Sequence, residues 1–339
     1  MRYLCLLFLS CALSASAATV PTSGPSATDP TPPLQEVIDH LNAAEHTLQN
    51  LKIEGFSCAI QTKASAAAEW TDTGQSIRGN AWYNGLSRSK LRINFTSTTL
   101  QENGAPVESI GQYSWNGSEG RNLTMREGAI GHPADIRTAK IGPDLPYPLT
   151  GDGYYQIFYG GAGYSLNFYS VSRSKSVLLS AALASAPKSA LPTLSWDNIF
   201  GTDVLCIWFN TPRHFVGWWV DPRHGYALRR MKASWFAKDG TLIAFGDMEV
   251  PQIADAGGGI WLATRGTWEE SSPKYFSRLT FEAKRVVAND PAFDEGIFTA
   301  PIPPHYLVDD QTTGKHYYTS DPNATTQAVD QAVKDLKGR

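Results

Sequence analysis

The chain has 339 residues and a formal net charge of −3, and 18% of its residues are charged. A chain of this length accommodates one large domain or two smaller ones with a sizeable hydrophobic core. No block of lysine or arginine residues stands out, so the sequence lacks the basic footprint of a nucleic-acid-binding protein. For the same reason we expect no non-specific attraction to anionic lipid surfaces.

Residues 1–17 have the pattern of a secretory signal peptide. Arg2 supplies a positive charge, residues 4–13 are apolar apart from one serine, and residues 15–17 have the small-x-small form that signal peptidase cleaves. The apolar run is too short to span a bilayer, and no later stretch is long and apolar enough to do so. We therefore predict cleavage after Ala17 and a secreted or periplasmic protein without a transmembrane segment.

Leader cleavage removes Cys5 and Cys11 and leaves Cys58 and Cys206. Cys11 stands in a poor lipobox, so a lipid anchor is not expected there. An exported protein can form a disulfide, but Cys58 and Cys206 both lie in strand-like apolar runs, where a free cysteine often serves as a small buried hydrophobic residue. Since the sequence does not provide the Cα–Cα distance, a disulfide and two buried thiols both remain open.

Residues 18–33 are rich in proline, serine and threonine, which is typical of a disordered linker. The next segment has apolar residues at helical spacing, and its charged residues lie mostly off that stripe. The stripe consists of Leu34, Val37, Ile38, Leu41, Ala44, Leu48 and Leu51. We predict an amphipathic helix that lays this apolar face on a sheet.

After the helix the hydrophobic pattern changes to a period of two residues, which is the period of a β-strand. Three dipeptides that accept positive φ stand between extended runs, and this is a strong signal for β-hairpins. They are Asn84-Gly85, Asn116-Gly117 and Asp239-Gly240. Further strands are predicted at residues 204–209, 215–220, 260–268 and 276–287. Consecutive strands joined by tight turns predict a mainly β chain with an antiparallel meander.

Three segments do not follow this alternation. Residues 151–169 are rich in glycine and tyrosine, residues 176–186 predict a short helix, and the tail 321–339 contains a helix candidate at residues 325–336. The strands at 204–209 and 215–220 are apolar without interruption, so both of their faces should be covered. We expect one face to meet a helix and the other to line a cavity.

No nucleophile or acid–base pair is recognisable in the sequence. The two strings nearest to a nucleophile elbow, residues 55–59 and 163–167, lack its final glycine. The acidic pairs at residues 269–270 and 309–310 are interpreted as solvated surface, because neighbouring carboxylates in strands and turns are usually exposed. We therefore predict no catalytic residue and a protein that is not an enzyme.

Metal and phosphate sites are not indicated either. His40 and His46 lie six residues apart on the predicted helix, which is not the i, i+4 spacing of a helical zinc site. His214 and His224 flank a predicted strand and are interpreted as surface turn residues. Residues 257–259 are three glycines without the lysine and helix of a phosphate loop. We predict no metal and no cofactor.

Tryptophan is concentrated in the predicted strands of the second half. Trp218 and Trp219 are sequence neighbours in a strand, so they must face opposite sides of their sheet. Core packing, an apolar groove for an acyl chain and a carbohydrate platform all use aromatic side chains, and all three remain open. The candidate ligand-binding residues are Trp115, Trp218, Trp219, Trp235 and Trp261.

A leader, a linker, an amphipathic helix and a long antiparallel meander follow one another in this chain. Five strings add detail to that order, namely residues 48–52, 113–117, 218–226, 301–304 and 308–310. Together they resemble the LolA/LolB-like superfamily of periplasmic outer-membrane lipoprotein carriers and its secreted relatives, over most of residues 34–318.

The resemblance implies a single domain over residues 34–320, built as a strongly curved, incomplete β-barrel with plugging helices on its concave side. It also implies an apolar cavity able to hold acyl chains. Carriers of this class use an inward-pointing arginine, for which Arg78, Arg88 and Arg92 are all candidates in this sequence.

Three hypotheses follow. The first is a non-enzymatic periplasmic or cell-envelope protein that binds a lipid, an acyl chain or a lipoprotein in the cavity of this fold. The second is a secreted interaction or carbohydrate-binding β module without a lipid cavity. The third is an envelope hydrolase with a dispersed site. An apolar cavity favours the first, exposed coplanar tryptophan rings favour the second, and a buried carboxylate pair in a cleft favours the third.

Overall fold

The computed structural model describes residues 30–84, 90–100, 104–126, 136–143, 179–186, 191–272, 275–299 and 301–319. The predicted leader, the Gly- and Tyr-rich segment 151–169 and the tail helix at 325–336 lie outside the described residues. Within them no helix is long and apolar enough to cross a membrane.

The described residues form two α-helices and sixteen strands. The helices are α1, Leu34–Thr47, and α2, Leu179–Ala184. The strands of the first half are β1 Asn50–Thr62, β2 Thr71–Asn84, β3 Lys90–Leu100, β4 Pro106–Trp115, β5 Gly120–Arg126 and β6 Ile136–Gly142. Those of the second half are β7 Thr193–Ile199, β8 Thr202–Thr211, β9 His214–Asp221, β10 Ala227–Phe236, β11 Leu242–Asp255, β12 Trp261–Ser272, β13 Tyr275–Glu282, β14 Arg285–Ala288, β15 Leu307–Asp310 and β16 Lys315–Tyr318.

All sixteen strands belong to one large, curved, unclosed sheet. Its order is β16-β15-β6-β5-β4-β3-β2-β1-β13-β12-β11-β10-β9-β8-β7, and β14 also pairs with β1. Strand β1 joins the two halves, because it pairs with β2 on one side and with β13 and β14 on the other. Neighbouring strands are antiparallel except for the parallel pair β6 and β15. The mainly β, antiparallel architecture expected from the sequence is confirmed.

A row of large apolar side chains crosses one face of the sheet. Its members are direct cross-strand neighbours on β8 to β13, and they are buried. The row runs Ile207, Trp218, Met231, Met248, Trp268 and Leu279. We call this the core face, because the main hydrophobic cluster lies on it. Burial of such contiguous apolar surface is the dominant favourable contribution to folding.

Both helices contribute to the same hydrophobic cluster. Val37 and Leu41 of α1 and Leu179 and Leu183 of α2 are buried in it. The carboxylate of Glu45 on α1 is also buried and accepts hydrogen bonds from the backbone N–H of Ser180, at 3.2 Å, and from its hydroxyl. The predicted amphipathic helix therefore contributes its apolar face to this cluster, but it ends at Thr47, and Leu51 of the predicted stripe belongs to β1. A buried polar contact ties α2 to α1.

The opposite face, which we call the outer face, carries paired charges and two small apolar clusters. Arg230 contacts Asp247, and Arg278 contacts Glu269 across neighbouring strands. Cys206 belongs to an outer-face cluster with Trp219, whereas Cys58 lies in the core-face cluster. Residues of β8 are buried on both faces, as the continuous apolar run predicted.

Both cysteines are free thiols in the structure, so the interpretation as two buried hydrophobic residues describes them, and no disulfide joins them. Burial raises the pKa of Cys58 well above its ordinary value. Burial, and then the negative charge of Asp197, raise the pKa of Cys206 to about 12. Neither thiol is poised to form the reactive thiolate.

The turn signals agree with the strands where both can be compared. Asn116-Gly117 lies between β4 and β5, and Asp239-Gly240 lies between β10 and β11. Strand β2 ends at Asn84 and β3 begins at Lys90, with residues 85–89 outside the described part. The helix predicted at 176–186 contains α2.

Candidate binding cleft

A cleft of about 510 Å³ lies between α1 and two turns of the sheet, and we call it the helix cleft. One turn joins β9 to β10, and the other joins β11 to β12. The lining residues are His40, Ala43, Ala44, Thr47, Leu48, Pro222, Gly225, Tyr226, Gly258, Gly259, Ile260, Trp261 and Leu262. This volume falls within the range of about 300–1,000 Å³ that small-molecule sites occupy.

One side of helix α1 is buried in the core, and an adjacent side lines the cleft. Val37, Leu41 and Glu45 are buried against the rest of the protein. His40, Ala44 and the rest of an adjacent stripe line the cleft, because residues three and four apart share one side of a helix. Small alanine side chains at this position leave the space open.

The β9–β10 turn is held by Asp221, whose side chain is fully buried. Its carboxylate accepts hydrogen bonds from the backbone N–H of Arg223, at 3.2 Å, and contacts His224 Nδ1, at 2.8 Å. Gly225 and Tyr226 both have φ of 61°. A non-glycine residue in this conformation costs about 1–3 kcal/mol and persists only where the surroundings enforce it.

The strained backbone directs Tyr226 towards α1. Its ring stacks on His40, with ring centroids 5.1 Å apart and an interplanar angle of 15°. Burial, and then the negative charge of Glu36, raise the pKa of Tyr226, so its phenol stays protonated over the physiological range. The phenol hydroxyl is therefore available as a neutral hydrogen-bond donor.

The β11–β12 turn supplies the opposite wall. Its three glycines, residues 257–259, have φ values of 122°, 65° and 78°, which is the backbone of a tight loop and agrees with the interpretation of this string as a loop. The loop leads into Trp261, whose ring meets His224 edge-on at 4.2 Å between centroids. No lysine, arginine or carboxylate is among the lining residues within the described part. The lining of the cleft is therefore uncharged, with apolar side chains beside polar groups such as those of His40 and Thr47.

The five candidate tryptophans lie in different places. Trp261 lines the helix cleft, while Trp218 is only 1% exposed in the main cluster and Trp115 packs against that cluster. Trp219 lies on the outer face and donates its indole N–H to Asp197 at 2.7 Å. Trp235 is half-buried near the end of β10. The structure confirms that Trp218 and Trp219 face opposite sides, and it does not gather the five rings around one cavity.

Sequence reasoning missed His40 and Tyr226, which line the cleft, and His224, which contacts the cleft residue Trp261. His40 was considered only as a metal ligand, and His224 only as a surface residue. The signal that could have found Tyr226 is its position after Asp221-Pro222 and Gly225, where a tight turn forces an unusual backbone conformation.

Of the three arginine candidates that the family resemblance offers, the structure describes two. Arg78 is exposed and contacts Glu108 at 3.4 Å. Arg92 reaches the backbone carbonyl of Ile297 on the outer face, at 3.1 Å. Arg88 lies outside the described residues.

No protein-family model matches the chain, and no curated protein is significantly similar to it. Solved structures with a similar arrangement include a DUF1329 family protein from Desulfovibrio piger, with 12% identity, 79% of this chain and 98% of that chain covered, and a TM-score of 0.35. A putative outer membrane lipoprotein-sorting protein domain from Vibrio parahaemolyticus is 10% identical, with 78% and 95% covered and a TM-score of 0.35. PNGF-II is 9% identical, with 77% and 32% covered and a TM-score of 0.21. One of these chains bears a lipoprotein-sorting description, the class that the sequence resembles, but TM-scores this low carry no argument about activity, ligand or partner.

Proposed function

We propose that the protein is a non-enzymatic binding protein of the cell envelope that holds a lipid or another apolar ligand in the helix cleft. The observation that carries the proposal is the cleft itself, about 510 Å³ in volume, with alanine, leucine, isoleucine and aromatic side chains in its lining. The secretory leader predicted at residues 1–17 supports a location outside the cytoplasm.

The expected affinity follows from the apolar surface that an acyl chain would bury. Eight methylene groups at about 0.8 kcal/mol each contribute about 6 kcal/mol, which corresponds to a dissociation constant of the order of 10–100 μM. Immobilising the chain opposes this gain. A hydrogen bond from Tyr226 or His40 to a polar head group adds to it, since both line the cleft.

The first test asks whether the purified protein carries lipid. The mature protein would be isolated under non-denaturing conditions from an exporting host and extracted with organic solvent. Mass spectrometry would then compare the extract with that of an unrelated secreted protein purified in the same way. Stoichiometric lipid supports the proposal. No lipid above the control, together with no binding of a fluorescent fatty-acid probe, contradicts it and leaves the carbohydrate-binding or interaction module as the better hypothesis.

A matched pair of variants locates the site. Ala44→Trp places a large ring in the lining of the cleft, whereas Asn42→Trp adds the same ring at an exposed position of the same helix. We expect Ala44→Trp to weaken binding of the fluorescent fatty acid at least about tenfold, because the ring fills the space that the ligand needs. Equal affinities of the two variants would place the ligand elsewhere.

A further inference from the structure

A second cleft, of about 440 Å³, lies on the outer face of β2, β3 and β4. We call it the amide cleft, because Asn80, Asn94 and Gln112 are among its lining residues. Pro303 and Tyr306, from the segment before β15, also line it. It shares no lining residue with the helix cleft, so the two can be tested separately.

The three amide side chains form a row across the sheet. Asn80 is the direct cross-strand partner of Asn94, and Asn94 is the partner of Gln112. Directly opposite residues in antiparallel strands have Cβ atoms about 4.5–5.5 Å apart, so their side chains are neighbours on the same face. Three amides are therefore presented side by side to one cleft.

The orientation of each amide is fixed by a group that can only donate. The backbone N–H of Gly55 donates to Asn80 Oδ1 at 2.8 Å. The guanidinium of Arg92 donates through Nε to Asn94 Oδ1, at 3.0 Å, and through Nη2 to Gln112 Oε1, at 2.7 Å. Because peptide N–H and guanidinium groups cannot accept hydrogen bonds, all three oxygens must face them. The amide NH₂ groups are the ends that remain for a ligand.

A β-bulge produces the first of these contacts. The register of β1 against β2 shifts between Ile53 and Phe56, and Gly55 has φ of 60° at this point. The extra residue turns the Gly55 N–H towards the side chain of Asn80 instead of a strand carbonyl. The β-bulge at Gly55 thus fixes the orientation of the Asn80 side chain.

The side-chain amide of Gln112 indicates that a ligand binds in this cleft. Its Nε2 atom is buried and has no hydrogen-bond partner within the described residues. A buried donor left without an acceptor is unfavourable, and such groups in folded proteins usually have a partner. An acceptor atom of a ligand in the cleft would supply it.

The charge behind the row is positive. The three hydrogen bonds that Arg92 donates go to neutral oxygens, namely the two amides and the carbonyl of Ile297 at 3.1 Å, and its guanidinium also lies 5.9 Å from the ring centroid of Trp82, so no carboxylate neutralises it within the described part of the chain. Arg78 also lines this cleft, but it is paired with Glu108 at 3.4 Å, so the uncompensated positive charge is that of Arg92. A cation that donates to an amide oxygen polarises the amide and strengthens the donor at its other end.

We propose that the amide cleft binds an oxyanion, a carboxylate or a phosphate group, through the NH₂ groups of Asn80, Asn94 and Gln112, with Arg92 supplying the positive charge behind them. Amide donors side by side on one face of the sheet match the several lone pairs of such a group. Ile110, Met125, Pro303 and Tyr306 provide apolar surface for the remainder of the ligand.

The decisive variant is Gln112→Glu. It keeps the shape of the side chain, replaces the donor NH₂ with a carboxylate oxygen and puts a negative charge next to Arg92. Titration calorimetry at low ionic strength would use inorganic phosphate in one series and octanoate in the other. We expect at least one of the two to bind saturably and Gln112→Glu to weaken that binding at least about tenfold, because a charge-assisted hydrogen bond is lost and repulsion is gained.

Three controls keep the result interpretable. Gln252→Glu makes the same chemical change at an exposed position and should leave binding unchanged. Ala44→Trp blocks the helix cleft and should leave phosphate binding unchanged, and the octanoate series is run in this background so that binding in the helix cleft does not contribute; this separates the inference from the proposed function. Asn94→Asp repeats the main test if Gln112→Glu alters the melting temperature.

The two probes distinguish the two oxyanions. Saturable phosphate binding that Gln112→Glu weakens supports a phosphate group, and saturable octanoate binding that it weakens supports a carboxylate. Absence of saturable binding for both probes overturns the proposal. Binding that is the same in Gln112→Glu and the unaltered protein overturns it as well.

Discussion

The two faces of the sheet are built differently, and each carries a different kind of cleft. The core face is a continuous apolar surface, and the helix cleft beside it is shaped by α1 and by turns with strained backbone at Tyr226. The outer face is polar, and the amide cleft on it is formed largely by strand residues whose positions follow from register. The shape of the helix cleft therefore depends on turns with strained backbone, whereas the amide cleft depends on the register of neighbouring strands.

The two faces should differ most in the unfolding free energy that is lost when Trp218 or Trp219 is replaced by alanine. Trp218→Ala removes a fully buried ring from the row across the core face, and we expect a loss of about 3–5 kcal/mol in the free energy of unfolding. Trp219→Ala should cost less, because the outer-face cluster around it is smaller. Urea unfolding followed by circular dichroism measures both. Equal losses would mean that the two faces contribute equally to stability.

A smaller effect is expected at the turn of the helix cleft. Asp221→Asn removes the buried charge that accepts from Arg223 and contacts His224, and we expect a loss of about 1.5–3 kcal/mol in unfolding free energy. Because this turn positions Tyr226, affinity for the fluorescent fatty acid should fall as well. A destabilised variant that keeps its affinity would show that the turn is structural and does not shape the site.

Glu45 offers a test through pH. Burial raises its pKa in the folded state, although the hydrogen bonds from Ser180 oppose this. Its contribution to stability is therefore fully present below its unfolded pKa, near 4.5, and is lost as pH rises through the folded pKa. Glu45→Gln should remove this dependence. Urea unfolding of both proteins between pH 4 and pH 7 would show it, and parallel curves would contradict it.

Glu54 provides a contrast to Glu45, because its pKa is lowered in the folded protein instead of raised. Lys52 lowers its pKa, so its contribution is present above the unfolded value and is lost as pH falls. Glu54→Gln should therefore change the acid side of the stability profile, whereas Glu45→Gln changes the side towards neutral pH. The effect of Glu54→Gln should be small, since the pair is solvent-screened.

The smallest expected effect is that of His40→Ala. The variant loses the stack on Tyr226 but little buried surface, because His40 lies on an exposed part of α1. We expect a loss of about 0.5 kcal/mol in unfolding free energy and a larger relative change in fatty-acid affinity. Thermal unfolding and probe titration check the two parts. A change in stability without a change in affinity would remove His40 from the site.

Turn dipeptides and the alternation of side chains along a strand predicted the hairpins and the sides that individual residues face. Asn116-Gly117 and Asp239-Gly240 specify hairpins because the turn itself demands their backbone conformations. The opposite orientation of Trp218 and Trp219 follows from strand alternation alone. In contrast, the pairings of β1 with β13 and of β6 with β15 join distant parts of the chain, and no local pattern specifies them. The leader, the linker and the single-domain boundary at 34–320 stay predictions.

The two clefts were harder to predict from the sequence, because each is formed by residues that are far apart in the chain. Of the candidate tryptophans, Trp261 lines the helix cleft, Trp115 and Trp218 contribute to the core cluster, and Trp219 belongs to a cluster on the outer face. The amide row depends on the register that sets Asn80 beside Asn94 and Asn94 beside Gln112. A one-residue shift would separate these side chains, so no inspection of three isolated polar residues could have grouped them.

The position of β1 in the sheet has a consequence for synthesis and folding. Its partner β13 enters the growing chain about 220 residues later, which at about 5–20 residues per second takes about 10–40 s. During that interval one edge of β1 has no native partner, and an unpaired edge can pair with other chains. Pairing of strands this far apart in the sequence is slow, so we expect refolding of the chain to be slow and sensitive to protein concentration.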